Sequence, residues 1–313
     1  MKRKHLLVGT TALLALAGGV AWWSARTDRE LKLAPSATAS TSSVHPSKSA
    51  RVANSEAALA ERLKAAKEIS TELSNEELKQ LIAFLSKPVD ERNRENDLLA
   101  INEVMNRLRT TGLACGEYAT ALCGLIRDPN IHPVVRDYAI QHAFQWMRDA
   151  HDGSLAATLV PEDRRRLLDC TVAFLREPAS LHETGYGTAL NVLRTLESTC
   201  PEDAAAIFEQ CEPRIVEVAA GRESAPLANR VSAIQALPAL PDREAALTLV
   251  RGMTADVPTG SPVRLVAIAT LGELGEQTDL ATLRQLETTD RRVAYAARAA
   301  ATRLEASLLS ASR

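Results

Sequence analysis

The chain has 313 residues, of which 46% are hydrophobic, 24% charged and 4% aromatic, a balance that suits a folded protein and excludes global disorder. Fourteen Gly and fourteen Pro exclude collagen-like or low-complexity character. The formal net charge of −2 hides an asymmetry: residues 1–50 hold seven Lys/Arg and two acids, whereas residues 51–313 hold 30 Lys/Arg and 37 acids, a net −7. An acidic body repels phosphate backbones, so no nucleic-acid partner is expected.

Residues 1–25 read as a signal anchor or signal peptide. Lys2, Arg3 and Lys4 precede an uncharged run of 18 residues from Leu6 to Trp23. A basic start before an apolar run marks export, and Trp22 and Trp23 suit the headgroup zone. The expectation is a single-pass cell-membrane protein with an extracytoplasmic (periplasmic) body. The body is secreted if the segment is cleaved after the small residues near Ala17 or Ala21. Residues 26–50, rich in Ser, Thr, Ala and Pro, carry no apolar period and read as a flexible linker.

From residue 51 onward the pattern is all-α. Ser74 and Glu77 form a capping box before Leu78, Leu81, Ile82 and Leu85, with Pro88 as the stop. Similar punctuation recurs at Pro129, Pro161, Pro201, Pro241, Pro258 and Pro262, which implies eleven to thirteen short helices. Residues 51–90 are expected to supply N-terminal helices that cap an array, and residues 91–313 the repeats.

One helix per unit follows a template: a polar anchor, then small or apolar residues three, four and seven positions later. It fits Asp97/Ala100/Ile101/Val104, Arg136/Ala139/Ile140/Ala143 and Tyr186/Ala189/Leu190/Leu193. It also fits Arg230/Ala233/Ile234/Leu237 and Arg264/Ala267/Ile268/Leu271, with a weaker copy at Arg292/Tyr295/Ala296/Ala299. These offsets place each set on one helical face. The anchors stand 39, 50, 44, 34 and 28 residues apart, a range that brackets the period of paired-helix repeats.

Residues 261–276, Ser-Pro-Val-Arg-Leu-Val-Ala-Ile-Ala-Thr-Leu-Gly-Glu-Leu-Gly-Glu, resemble a HEAT repeat, in particular the short form of bilin lyases. Residues 279–287 and 290–297 resemble the next unit, and the likeness is best over residues 225–305. The resemblance implies an α/α superhelix, a HEAT-like solenoid of antiparallel helix pairs, behind the N-terminal hydrophobic helix. It also implies a ladder in which each Arg meets an Asp of the inter-helix turn. Asp128 then serves Arg136, Asp256 serves Arg264, and Asp290 serves Arg292 or its neighbour. Tyr186 and Asp97 break that pattern.

Catalytic signatures are missing from the sequence. There is no Gly-rich phosphate loop, dinucleotide fingerprint or nucleophile elbow. In the body His132, His142, His151 and His182 are spaced 10, 9 and 31 apart, which suits no zinc site. His182-Glu183 stands alone, whereas dimetal hydroxylases built on HEAT-like repeats use several such dipeptides. The five cysteines, Cys115, Cys123, Cys170, Cys200 and Cys211, read as small buried hydrophobes. Cys115 and Cys123 on one helix are too far apart to bridge, and so are Cys200 and Cys211. Tyr138, Phe144, Trp146 and Phe174 read as core, and Arg164-Arg165-Arg166 as a solvated face. The reading is a non-enzymatic protein–protein interaction scaffold with no cofactor, metal or catalytic residue; its binding residues are not legible. The alternative is a HEAT-like lyase-type enzyme.

Overall fold

Capping side chains and prolines mark where several helices begin. Ser47 accepts the N–H of Ala50 and opens α1 (Lys48–Ala53); α2 (Leu59–Lys67) follows. Ser74 and Glu77 form the expected capping box of α3 (Asn75–Leu85), each side chain bonding the other's backbone N–H at 3.2 Å. Then come α4 (Arg94–Thr110), α5 (Gly116–Arg127) and α6 (Pro133–His151). Pro161 and Pro201 take the first positions of α7 (Pro161–Arg176) and α9 (Pro201–Ala220), where a missing N–H costs nothing. Two acids follow each proline and face the positive end of the helix dipole. Between them lies α8 (Thr184–Glu197). The chain continues with α10 (Leu227–Ala236), α11 (Arg243–Asp256), α12 (Pro262–Leu274), α13 (Gln277–Thr289) and α14 (Ala294–Ala311).

The computed structural model describes residues 47–311, apart from 71–72, 114–115, 154–158 and 259–260. Internal contacts divide the chain into two units, residues 1–46 and 47–313, and the described residues all belong to the second. The hydrophobic run and residues 26–46 of the expected linker lie outside the described residues. The last linker residues, 48–50, are the first turn of α1, and Ser49 is buried against Gln80 of α3. Among the described residues there are fourteen α-helices and no strand, and no helix is long and apolar enough to cross a membrane.

The helices pack in sequential pairs, α1 with α2 through α13 with α14. Each even-numbered helix also packs on the next even one, from α2 to α14, and odd-numbered helices do the same from α1 to α11. Every unit thus buries its apolar face only against its neighbours, which is repeat-like organisation.

The sequence template is the buried face of the even helices. Its apolar members on α4, α6, α8, α10 and α12 are all buried. An additional copy, Arg62/Ala65/Ala66/Ile69, runs along α2 and just past its end, buried within the segment read as a cap. The weak copy at Arg292 is out of register. Tyr295 is 81% exposed there, and α14 buries Ala297, Ala300, Ala301 and Leu304 instead. Small residues bring helices close: a Cβ on Gly272 of α12 would stand 2.7 Å from Cα of Ala300 on α14.

Candidate functional site

The recurring arginine caps the helix before it. The last carbonyls of a helix have no partner within it and carry its negative dipole end, which a guanidinium satisfies. Nε of Arg62 donates to the Val52 carbonyl at 2.9 Å, and Nε of Arg136 to that of Ile126 at 3.1 Å. Nε of Arg230 donates to Ala219 at 3.1 Å, and Nε of Arg264 to Thr254 at 2.8 Å. The acceptor lies ten residues earlier in three cases and eleven in the other.

The outer nitrogens reach forward to the next unit. Arg62 donates to Asp97 at 2.7 Å, and Arg264 to Asp290 at 3.0 Å. Arg136 bonds Glu177 at 3.2 Å and also Glu183, while its guanidinium lies 4.9 Å from the centre of the Phe174 ring. Asp97 therefore breaks the arginine pattern because it is the acceptor of the preceding arginine. Burial pushes the Glu183 carboxyl above its ordinary range, against the pull of Arg136.

This corrects the ladder that the resemblance implies. Asp128 and Asp256 are exposed, and neither pairs with the arginine eight residues on. Asp128 accepts the N–H of Asn130 in its own turn. Asp290 divides its oxygens between Arg264 and the backbone N–H of Arg292. Glu183 of the His182-Glu183 pair belongs to Arg136.

The remaining singled-out residues are dispersed. His132 is the N-cap of α6, and His151 and His182 are exposed. His142 is buried with Nε2 3.0 Å from Oδ1 of Asn102; burial, helped by Arg109, pulls its pKa down to about 3. Phe144, Trp146 and Phe174 are core residues, and Tyr138 is partly buried beside them. The run at 164–166 is less idle than expected. Arg164 pairs with Asp203 of α9, and Arg166 with Asp163 and with Thr120 of α5, so only Arg165 is exposed. Among the described residues no group of three or more His, Cys, Asp or Glu is placed to hold a metal ion.

One cleft stands out by its construction. While α12 and α14 pack tightly through Gly272 and Ala300, α11 and α13 barely touch. The wedge between them holds roughly 420 Å³, with Leu271, Thr254 and Arg264 at its floor. Thr282, Gln285, Leu286 and Thr289 form one wall, and Arg251 pairs with Asp279 at its edge, at 2.7 and 2.8 Å. Burial works to raise the Asp279 pKa, but hydrogen bonds from Arg251 and the Glu276 N–H outweigh it and hold the carboxyl below its ordinary range. Sequence reading named none of these as binding residues. The signal was present: Thr282, Gln285, Leu286 and Thr289 have the same three, four and seven offsets as the core template, but with mostly polar members.

No family model and no curated protein matches the chain.

Proposed function

We propose that this is a HEAT-like helical-repeat scaffold, an α/α superhelix of antiparallel helix pairs that binds a protein partner. Its body is extracytoplasmic, and the N-terminal segment holds it to the cell membrane unless cleavage releases it. The observation that carries the reading is the cleft between α11 and α13. It is of a size to admit side chains or a short segment of a partner, and it offers both apolar floor and hydrogen-bonding wall. Repeat arrays bind through such surfaces between stacked units. The lyase-type alternative needs an acid or base poised near neutrality in the cleft. Asp279 suits that role poorly, because Arg251 and a backbone N–H favour its ionised form.

The test is a photo-crosslinking residue at Thr282, compared with one at Glu202 on α9, in the full chain in intact membranes. One discrete protein adduct at Thr282, absent at Glu202 and lost on adding Gln285→Arg, is expected. Equal labelling from both positions would overturn the cleft as the binding site. A C-terminal tag protected from external protease in spheroplasts would overturn the topology.

A further inference from the structure

Two cysteines distant in sequence meet inside the fold. Cys123 on α5 and Cys170 on α7 are 47 residues apart, and their Sγ atoms lie 2.9 Å from each other. That is closer than the roughly 3.5–4.0 Å optimum of non-bonded carbon atoms, and sulfur is the larger atom. Both are buried, 5% and 0% exposed, on helices that pack directly. No other pair of sulfur atoms meets among the described residues.

We propose that Cys123 and Cys170 form a disulfide that ties the α5/α6 unit to the α7/α8 unit. In the cell this rests on the exported location, since such bonds persist in oxidising compartments. The oxidant is a disulfide of the thiol–disulfide exchange class. The Cys123 thiolate attacks one of its sulfurs, a mixed disulfide forms, and the other sulfur leaves as a thiolate. The Cys170 thiolate then attacks Sγ of Cys123, and the second sulfur of the oxidant leaves. Two protein thiols are oxidised and one disulfide is reduced; the two thiol protons pass to the departing thiolates. Burial of both sulfurs places the exchange during folding, before α5 and α7 close.

The bond also matters for the array. Each unit buries its apolar face mainly against its neighbours, so a covalent tie between two of them resists local opening. Closing a loop of this length restricts the unfolded chain substantially.

The experiment refolds the full chain, in detergent, in a glutathione redox buffer, alkylates remaining thiols and maps peptides without reduction. The expected result is one linked pair of peptides carrying Cys123 and Cys170, with Cys115, Cys200 and Cys211 alkylated. The oxidised protein should melt about 5–10 °C above the reduced one. That difference should vanish in Cys123→Ser and Cys170→Ser and persist in Cys211→Ser. Alkylation of both Cys123 and Cys170 in the oxidised protein, or another linkage, overturns the pairing. The same map is made on protein alkylated in intact cells. A bond that forms on refolding while both thiols are reduced in cells upholds the pairing and overturns the exported location.

Discussion

Arg136 and Arg230 hold the same place in their units and differ in what surrounds them. Each caps the preceding helix through Nε. Arg136 is fully buried and continues to Glu177 and Glu183 of the next unit. Arg230 is partly exposed, and among the described residues no carboxylate pairs with it. Its guanidinium lies instead over Gly221, the left-handed end of α9 (φ 76°), where a Cβ would stand 2.7 Å from Cζ. Asp256 stands 26 residues after Arg230, the same offset that joins Arg264 to Asp290, yet it is exposed. The α9/α10 unit is thus capped like those that carry Arg62, Arg136 and Arg264 and tied forward differently, and the α11–α13 wedge opens immediately after it. The same residue at the same register is cap and crosslink in one unit and a cap alone in another.

The largest expected effect is at Arg136. Removing one partner of a buried ion pair leaves the other uncompensated, so Arg136→Ala should lose about 3–5 kcal/mol in urea unfolding. A loss under about 1 kcal/mol would mean that its buried contacts are not what holds α6 to α8.

Acid should act on the same half of the molecule. His142, on the helix that carries Arg136, has its folded pKa lowered from 6.5 to about 3. The unfolded chain therefore takes up a proton that the native fold refuses. This penalty is absent above pH 6.5 and grows as pH falls toward 3. At up to about 1.4 kcal/mol per pH unit, it reaches about 2 kcal/mol by pH 5. The check is the urea midpoint against pH for the native chain and His142→Asn. An unchanged slope in the variant would remove His142 as the cause.

The smallest effect belongs to Arg230→Ala, about 0.5–1.5 kcal/mol for a partly exposed cap without a carboxylate. A loss equal to that of Arg136→Ala would show that the cap, not the forward pair, carries the energy in both units.

The helical class, the capping box at Ser74, the proline starts and the buried face of five even helices were legible in residue order. Each depends on neighbours within two turns. The α2 copy was equally periodic and passed unread, because Arg62/Ala65/Ala66/Ile69 sits beside polar, unpunctuated sequence. At α14 a run of alanines satisfies several registers at once, and only packing on Gly272 selects Ala297 over Arg292.

Local order in the chain determined which residues form helices and which stripe on them turns inward, since backbone capping and the 3.6-residue turn are short-range effects. Partners across units were decided by the tertiary structure alone. The resemblance pointed Arg136 back to Asp128 and Arg264 back to Asp256, whereas the stacked helices turn them forward to Glu183 and Asp290. The meeting of Cys123 with Cys170 and the wedge between α11 and α13 have the same origin. Both follow from how far adjacent pairs are allowed to approach, a distance set by side chains from two units that no single stretch of sequence contains.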